Sequence, residues 1–294
     1  MKSRVLVVGA NGYIAKNIIG FLEKNSSNLN ITTSSHDGLN ADHTLNYYEG
    51  YDAVVKNVDT IIFCSALLAN HKDISKVNTE FPLNLYIQAN KAGVRHFVFL
   101  STTLVSGYKT DQEILECSFQ DKYDDPYSQT KANAEKKLNK AKDKTSLISL
   151  RLSHVYDDNL ENFRGIFKLF YKLQKFNLLI LPKQNIKKSM LHIDNLNSLI
   201  IKVIYSKNIS GTFFVNDGYY YNLDQISKFV SASSNRNGVR HLHVNFHIFG
   251  LLSNFLRNRY PQFNNLTENL MFSISNTSKV FNWIPSAKMI DEVK

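Results

Sequence analysis

The feature that most constrains the fold is a glycine pair near the start of the chain, directly after an apolar run. Residues 4–8 have the composition of a buried strand, and a glycine turn and helix-forming residues follow at once. Small residues permit a tight turn there, and free N–H groups at the helix N-terminus can bind a pyrophosphate. A plain strand–helix turn is the alternative. The pattern predicts a dinucleotide-binding turn with five contact residues, which are Gly9, Asn11, Gly12, Tyr13 and Ile14.

The rest of the first half alternates short β-branched runs with helical patterns. This alternation predicts an α/β fold, a Rossmann-type doubly wound parallel sheet, in residues 1–160. Residues 161–294 are predicted to form mainly a smaller C-terminal substrate-binding lobe, interleaved with the first part without a clear linker. The predicted strands are 4–8, 30–34, 60–64, 97–101 and 146–151, and the predicted helices are 14–24, 48–56, 77–92, 128–140, 163–175, 196–205, 224–231 and 246–258.

Composition and charge narrow the class of protein. Apolar stretches are broken by polar residues within a few positions, so we expect a cytoplasmic protein with no membrane span. Cys64 and Cys117 lack metal-ligand spacing, so no metal site is expected. Residues 151–294 carry 18 Lys and Arg against 9 Asp and Glu, which suggests an anionic partner. The scattered cations and the lack of a recognition motif argue against nucleic acid.

Residues at the end of the second predicted strand bear on the choice of cofactor. A carboxylate there usually binds the ribose 2′-hydroxyl of NAD and repels the 2′-phosphate of NADP. Ser34, Ser35 and His36 occupy this place, and the first acid is Asp37. Hydroxyl and imidazole groups donate to phosphate, so these three residues are predicted to bind NADP(H), the preferred cofactor. If Asp37 occupies the acidic position, the preference reverses to NAD(H).

Tyr127 and Lys131 stand four residues apart at the start of a predicted helix, so both project from one face. A nearby ammonium lowers the pKa of a tyrosine, which lets the phenol exchange a proton with a substrate oxygen while hydride moves to or from nicotinamide. Lys131 can also hold the cofactor ribose.

The hydroxyls of residues 101–103 follow a strand, at the edge where open α/β sheets bind ligands. One of them could share the substrate oxygen with Tyr127, and capping of the strand end is the alternative.

Together these motifs resemble the extended short-chain dehydrogenase/reductase family, in particular its NAD-dependent epimerase/dehydratase branch. The resemblance covers nearly the whole chain. Near the C-terminus, residues 282–285 are similar to the family's LGW-x-P signature. The matching segments are 9–15, 58–62, 77–78, 92–98, 101–107, 127–131 with Glu135, 150–151, 191–194 and 282–285.

The resemblance implies roles for individual residues. Thr102 takes the catalytic Ser/Thr role, Tyr127 is the acid/base, and Lys131 orients the cofactor. Lys188 falls where the family often has an arginine that contacts the substrate diphosphate. His154 stands where sugar-nucleotide epimerases commonly have an asparagine. Lys188 and His154 are therefore the predicted substrate-binding residues, and Lys188, with help from Lys187 or His154, is expected to neutralise the diphosphate.

Several positions depart from the family pattern. Ser106 replaces the usual tyrosine of the VYG segment, Asp157 replaces a glycine, and Asn195 replaces an acid. Thr103 and Leu104 occupy the places of the Asp–Glu pair that 4,6-dehydratases of the family use for water elimination. A dehydratase is therefore not expected.

The resulting hypothesis is an NAD(P)-dependent oxidoreductase acting on a nucleotide-diphosphate sugar by reduction of a 4-keto-6-deoxy hexose. The missing second-strand acid favours NADPH, and hence a reductase, over a nucleotide-sugar 4-epimerase, which is the alternative. Family reductases of steroid-like or flavonoid-like ketones are further alternatives, although the basic second half favours a charged substrate. A non-catalytic NAD(P)-binding regulator is the hypothesis from another class, but such relatives generally lose the tyrosine that this chain keeps. A homodimer is a compatible assembly.

Overall fold

Twelve strands and nine α-helices are defined in the part of the chain that the computed structural model describes. That part is residues 2–45, 47, 50–68, 71–107, 112–115, 117–123, 125–236, 238–245, 247, 249 and 266–291. The strands are β1 Ser3–Val8, β2 Leu29–Ser35, β3 His43–Thr44, β4 Thr60–Phe63, β5 His96–Thr102, β6 Ser146–Leu152, β7 His154–Tyr156, β8 Leu178–Pro182, β9 Lys187–His192, β10 Gly211–Val215, β11 Tyr220–Asn222 and β12 Arg240–Val244. The helices are α1 Tyr13–Asn25, α2 Tyr51–Val55, α3 Phe81–Ala92, α4 Pro126–Lys140, α5 Gly165–Leu173, α6 Ile193–Tyr205, α7 Leu223–Ser233, α8 Ser275–Phe281 and α9 Lys288–Asp291.

Seven strands form one parallel sheet in the order β10-β6-β5-β4-β1-β2-β3. Alternate residues of β1 enter different cores: Val5 and Val7 pack with α1 and α6 on one face, and Leu6 and Val8 pack with α2, α3 and α4 on the other. Strands covered on both faces must be apolar throughout, which is why their sequences read as continuous hydrophobic runs. The predicted doubly wound parallel sheet is confirmed.

The second half of the chain completes this sheet and adds a lobe. β10 pairs with β6 in parallel. The lobe contains a three-stranded sheet, β11-β9-β7, and a two-stranded sheet, β12-β8. Helices α5 and α7 cover these strands through an aromatic core that includes Phe167, Phe170 and Phe229. The lobe stands beside the carboxyl edge of the main sheet, because β7 follows β6 after a single residue, Ser153.

The five predicted strands are all present, several helix ends differ from the prediction by a few residues, and two of these differences have local reasons. The predicted helix 77–92 begins as a π-helical turn, Lys76–Glu80, before α3. Pro82 has no N–H to donate to the preceding turn, which disfavours a regular α-helical start. The predicted helix 163–175 ends earlier, at Leu173, and a 3₁₀ turn leads to Asn177 with a φ of +52°. Most of the predicted helix 246–258 lies outside the described residues. Among those described, no helix has the length and apolarity needed to cross a bilayer.

The carboxyl ends of the parallel strands bring the predicted site residues to one edge. β1 leads to Gly9, β2 ends at Ser35, β4 leads to Cys64, and β5 ends at Thr102. Open α/β sheets bind ligands at this edge. The topology therefore places the glycine turn and the predicted catalytic hydroxyl along the same side of the sheet.

Candidate active site

The turn after β1 has the geometry that a bound pyrophosphate requires. Gly9 has a φ of +88°, and a Cβ there would lie 2.9 Å from the backbone N and Cα of Ser65. Gly12 caps α1 without a side chain, and its N–H donates to the Gly9 carbonyl at 2.9 Å. The first turn of α1 contains no acidic residue, which favours an anion at the positive end of the helix. These residues fit the phosphates of a dinucleotide cofactor.

A carboxylate lies beside this turn, just beyond β2. Asp37 Oδ1 accepts hydrogen bonds from Asn11 Nδ2 at 3.0 Å, Ser35 Oγ at 2.8 Å and the Leu39 N–H at 3.1 Å. The bond from Ser35 is the largest cause that lowers the pKa of Asp37 below its usual range. The carboxylate is therefore charged at neutral pH and fixed against the glycine turn through Asn11.

The three side chains predicted to hold a 2′-phosphate differ in accessibility. Ser34 is fully buried. The Ser35 hydroxyl donates to Asp37. His36 is exposed, and its ring stacks on Tyr47 with centroids 4.0 Å apart. His36 and Asp37 are therefore the exposed groups at the end of β2.

Thr102, Tyr127 and Lys131 line one cavity of about 410 Å³ at the carboxyl edge of the sheet. Thr102 ends β5, and its Oγ1 accepts a hydrogen bond from the Leu104 N–H at 3.3 Å. Tyr13 and Ile14, from the glycine turn and α1, line the same cavity. The three predicted catalytic residues and the first two residues of α1 thus border one space, whereas Gly9, Asn11 and Gly12 are not among its lining residues.

Helix α4 begins where its sequence places a cap and a proline. The Asp125 carboxylate accepts the Ser128 N–H at 2.8 Å, and Pro126 occupies the first helical position, where its missing N–H has no helical partner to lose. This start puts Tyr127 in the first turn and Lys131 one turn later.

The electrostatics of the pair differ from the sequence expectation. Burial, with a smaller contribution from Asp125, raises the pKa of Tyr127 to about 12. Lys131 Nζ donates to the Leu100 carbonyl at 2.9 Å and lies 4.6 Å from the centroid of the Phe99 ring, and burial lowers the pKa of Lys131 to about 8. The expectation that Lys131 lowers the pKa of Tyr127 is wrong for this conformation, because its ammonium is directed at β5 and burial of the phenol dominates.

A buried ion pair lies next to the strand that ends at Thr102 and the helix that carries Tyr127. Arg151 Nη2 and Glu135 Oε2 are 2.7 Å apart, and both side chains are fully buried. Ser101 donates to Glu135, and Arg151 Nη1 donates to Ser106 Oγ at 2.6 Å. Loss of one partner would leave an uncompensated buried charge, which costs about 3–5 kcal/mol. The network joins β5, α4 and β6, and the unusual Ser106 is part of it.

The two predicted substrate-binding residues also line the cavity. Lys188 is 2% exposed, its Nζ donates to the Glu268 carbonyl, and burial lowers its pKa to about 7. Burial lowers the pKa of His154 to about 4, and its Nε2 lies 3.3 Å from the Arg164 carbonyl. His154 is therefore uncharged at neutral pH, which corrects the expectation that it helps to neutralise a diphosphate. The neighbouring Lys187 is exposed and does not line the cavity.

Three residues form a contact that the sequence argument did not identify. Tyr13 Oη donates to Asp157 Oδ2 at 2.7 Å, and the Arg164 guanidinium lies 6.0 Å from the centroid of the Tyr13 ring. Tyr13 and Arg164 line the cavity. Two signals were present: Asp157 departs from a family glycine, and Arg164 belongs to a stretch, 162–193, with seven cations and no acid.

The comparisons with known proteins identify the family. The model of the NAD dependent epimerase/dehydratase family matches residues 5–210. The UDP-glucose 4-epimerase of Vibrio cholerae is 27% identical over an alignment of 245 residues. The alignment covers 74% of this chain and 72% of the relative.

Two solved structures share the fold. MoeE5 in complex with UDP-glucose and NAD has a TM-score of 0.74 at 15% identity, over 99% of this chain and 96% of that one. The dTDP-4-dehydrorhamnose reductase of Bacillus anthracis strain Ames, in complex with NADP, has a TM-score of 0.72 at 19% identity, over 100% and 98%. The cofactors of these relatives are thus NAD or NADP. The chain belongs to the NAD dependent epimerase/dehydratase family, a family of NAD(P)-dependent enzymes within the extended short-chain dehydrogenases/reductases.

Proposed function

We propose that this protein reduces a 4-keto-6-deoxy hexose joined to a nucleoside diphosphate, with a nicotinamide cofactor at the turn after β1. The observation that carries the proposal is the single cavity that Thr102, Tyr127 and Lys131 share with Lys188 and Arg164. The first three supply acid–base chemistry for a carbonyl group, and the other two are cations of the kind that bind phosphates.

Each of these catalytic residues has a separate role in the reduction of the carbonyl group. NAD(P)H, when bound, supplies the hydride. Tyr127 donates its phenolic proton to that oxygen, and its pKa of about 12 keeps the phenol protonated at neutral pH, the form that a reduction requires. Thr102 donates a hydrogen bond to the same oxygen and polarises the carbonyl. Lys131, whose ammonium donates to the Leu100 carbonyl, borders the same cavity and would hold the cofactor ribose, the other role predicted for it.

Exchange of the cofactor supports a reductase over an epimerase. A reductase consumes one reduced cofactor in each turnover, so the cofactor must leave. His36 and Asp37 are exposed and lie outside the cavity lining, which is consistent with an adenosine end that is open to solvent. Thr103 and Leu104 provide neither an acid nor a base for water elimination. The second candidate is 4-epimerisation, favoured by the likeness to the V. cholerae enzyme.

The test is incubation with NADH or NADPH and a panel of nucleotide-linked 4-keto sugars, followed through the near-ultraviolet absorbance of the reduced nicotinamide. Loss of absorbance equal to the product formed supports a reductase. Interconversion of C4 epimers without net loss of absorbance assigns the epimerase instead. Turnover of none of the nucleotide sugars overturns the substrate class.

The contacts of Asp37 support NAD(H), the alternative in the sequence argument, as the cofactor. A carboxylate near the ribose repels a 2′-phosphate. Asp37→Asn removes the charge and keeps a hydrogen-bond acceptor for Ser35. We expect it to raise the affinity for NADPH relative to NADH by about tenfold, which corresponds to about 1.4 kcal/mol. Asp42→Asn is the matched control, since that carboxylate bonds Thr33 instead. Tighter binding of NADPH than of NADH by the wild type would contradict this assignment.

Lys188 gives substrate binding a pH dependence. Its pKa of about 7 means that the ammonium is present at pH 6 and mostly lost at pH 8. The affinity for UDP-glucose, whose diphosphate does not titrate in this range, should therefore fall up to about tenfold between these pH values. Lys188→Met keeps the length of the side chain and should raise KM more than it lowers kcat, with little remaining pH dependence. Lys187→Ala is the control, and an unchanged KM in Lys188→Met would show that Lys188 does not bind substrate.

A further inference from the structure

One contact ties the cofactor-binding helix to the substrate lobe. Tyr13 is the first residue of α1, and Asp157 lies 144 positions later, directly after β7. Their 2.7 Å hydrogen bond joins a phenol to a carboxylate, and such charge-assisted bonds are stronger than neutral ones. Burial and the bond to Asp157 raise the pKa of Tyr13, so its hydroxyl remains a donor. The bond therefore joins α1 to the segment that follows β7, a strand of the three-stranded sheet of the lobe.

Asp157 also fixes the loop that leads into α5. Its Oδ2 accepts Asn162 Nδ2 at 2.7 Å, and its Oδ1 accepts the Asn159 N–H at 3.1 Å. Three hydrogen bonds therefore converge on this one carboxylate, with Arg164 two residues beyond Asn162. A glycine at position 157, as in the family pattern, could make none of these side-chain bonds.

Arg164 is held from two sides. The Tyr13 ring lies on one side of its guanidinium, at the outer limit of a cation–π contact. On the other side, the His154 ring packs against the backbone of residues 164 and 165. Gly165 has a φ of +52°, and a Cβ there would lie 2.4 Å from His154 Cε1. The backbone can thus approach His154 only because residue 165 is glycine.

The cavity needs a cation of this kind if its ligand is a diphosphate. Lys131 donates to the Leu100 carbonyl and Lys188 to the Glu268 carbonyl. Arg164 is the one arginine among the described residues that line the cavity, and its side chain is exposed. A guanidinium stays charged at every physiological pH and can bind two phosphate oxygens at once.

We propose that Asp157 is a positioning residue. Its hydrogen bond with Tyr13 attaches the loop between β7 and α5 to the cofactor-binding helix. The attached loop holds Arg164 at the cavity, where Arg164 binds the substrate's phosphates. The inference rests on the proposed function in that the substrate is taken to carry a diphosphate. It adds that substrate affinity depends on a bond made by the cofactor helix.

The experiment measures binding of two probes, UDP-glucose and inorganic pyrophosphate, by calorimetry to protein saturated with NADH, so that the glycine turn is occupied. Tyr13→Phe keeps the ring and removes the hydroxyl, and Asp157→Ala removes the carboxylate. Each variant is expected to bind both probes about five- to tenfold more weakly than the wild type. The double variant should bind them no more weakly than the single variant with the larger loss, because the two groups act as a unit. Asp157→Asn can still accept the Tyr13 hydroxyl and should recover most of the loss.

Two controls separate positioning from general damage. Lys168→Ala, one turn along α5, removes an exposed cation that does not line the cavity and should change either affinity by less than about twofold. The affinity for NADH should also change by less than about twofold in Asp157→Ala, because Asp157 lies outside the glycine turn and the backbone N–H groups of that turn remain. Arg164→Ala should lower the affinity for both probes at least as much as Tyr13→Phe does.

The outcomes distinguish the two proposals. Pyrophosphate binding that depends on Tyr13 and Asp157, without any binding of UDP-glucose, would retain the positioning role and overturn the nucleotide-sugar substrate. Additive effects in the double variant, an equal loss of NADH affinity, or no pyrophosphate binding by the wild type would each overturn the positioning role.

Discussion

Replacement of Tyr127 by phenylalanine should lower turnover by about 10²-fold or more while folding and cofactor binding survive. The substitution keeps the ring and its packing in the cavity and removes only the proton that the carbonyl oxygen must receive. Thr102→Val should cost less, because it removes one hydrogen bond and leaves the proton donor in place. The measurements are kcat with saturating reduced cofactor and the thermal unfolding temperature of each variant.

Tyr123 provides the matched control for this change. Its buried hydroxyl donates to the Val105 carbonyl at 3.2 Å, and it does not line the cavity. Tyr123→Phe should therefore affect stability and leave kcat within about threefold, as expected away from reacting atoms. Near-wild-type turnover in Tyr127→Phe would count against the mechanism and support a non-catalytic NAD(P)-binding regulator.

Replacement of Gly9 by alanine should abolish tight cofactor binding. At a φ of +88° an alanine is strained by roughly 1–3 kcal/mol. Its Cβ would also lie 2.9 Å from the backbone of Ser65, so the turn or the end of β4 must shift. Displacement of the N–H groups that face the pyrophosphate should weaken NADH binding about tenfold or more, the equivalent of at least 1.4 kcal/mol. Fluorescence titration with NADH measures this loss.

Gly20 offers a control for the same substitution in α1, the helix that follows the turn. It lies in the interior of α1, and a Cβ there would meet no atom within 4 Å. Gly20→Ala should stabilise the fold by about 0.5–1 kcal/mol and leave cofactor affinity unchanged. Equal NADH affinities in Gly9→Ala and the wild type would mean that the turn after β1 does not hold the cofactor.

The sheet and the glycine turn were predictable because their causes are local. A strand buried on both faces must be largely apolar, as residues 97–100 of β5 are, and a turn residue whose Cβ would lie 2.9 Å from another backbone must be glycine. The spacing of Tyr127 and Lys131 likewise sets both on one helical face. The sequence therefore predicted the glycine turn and the helix that carries Tyr127 and Lys131, and the structure brings these two side chains to one cavity with the first residues of α1.

Other properties depend on contacts between distant parts of the chain. The lowered pKa values of His154 and Lys188 arise from burial in the lobe, which no local pattern encodes. The direction of the Lys131 ammonium toward Leu100 is set by packing against β5. Asp157 was visible as a departure from the family glycine, but its partner, Tyr13, lies 144 residues away.

The most direct test of the central claim is a single-turnover reaction with a nucleotide-linked 4-keto sugar and reduced cofactor that carries deuterium on the transferring face of its nicotinamide. A reductase delivers that deuterium to the sugar, so mass spectrometry should find one deuterium at C4 of the product, in an amount equal to the oxidised cofactor. In Tyr127→Phe the same product should form about 10²-fold more slowly or slower still. Deuterium-free product from the wild type, or turnover without oxidation of the cofactor, would contradict the account.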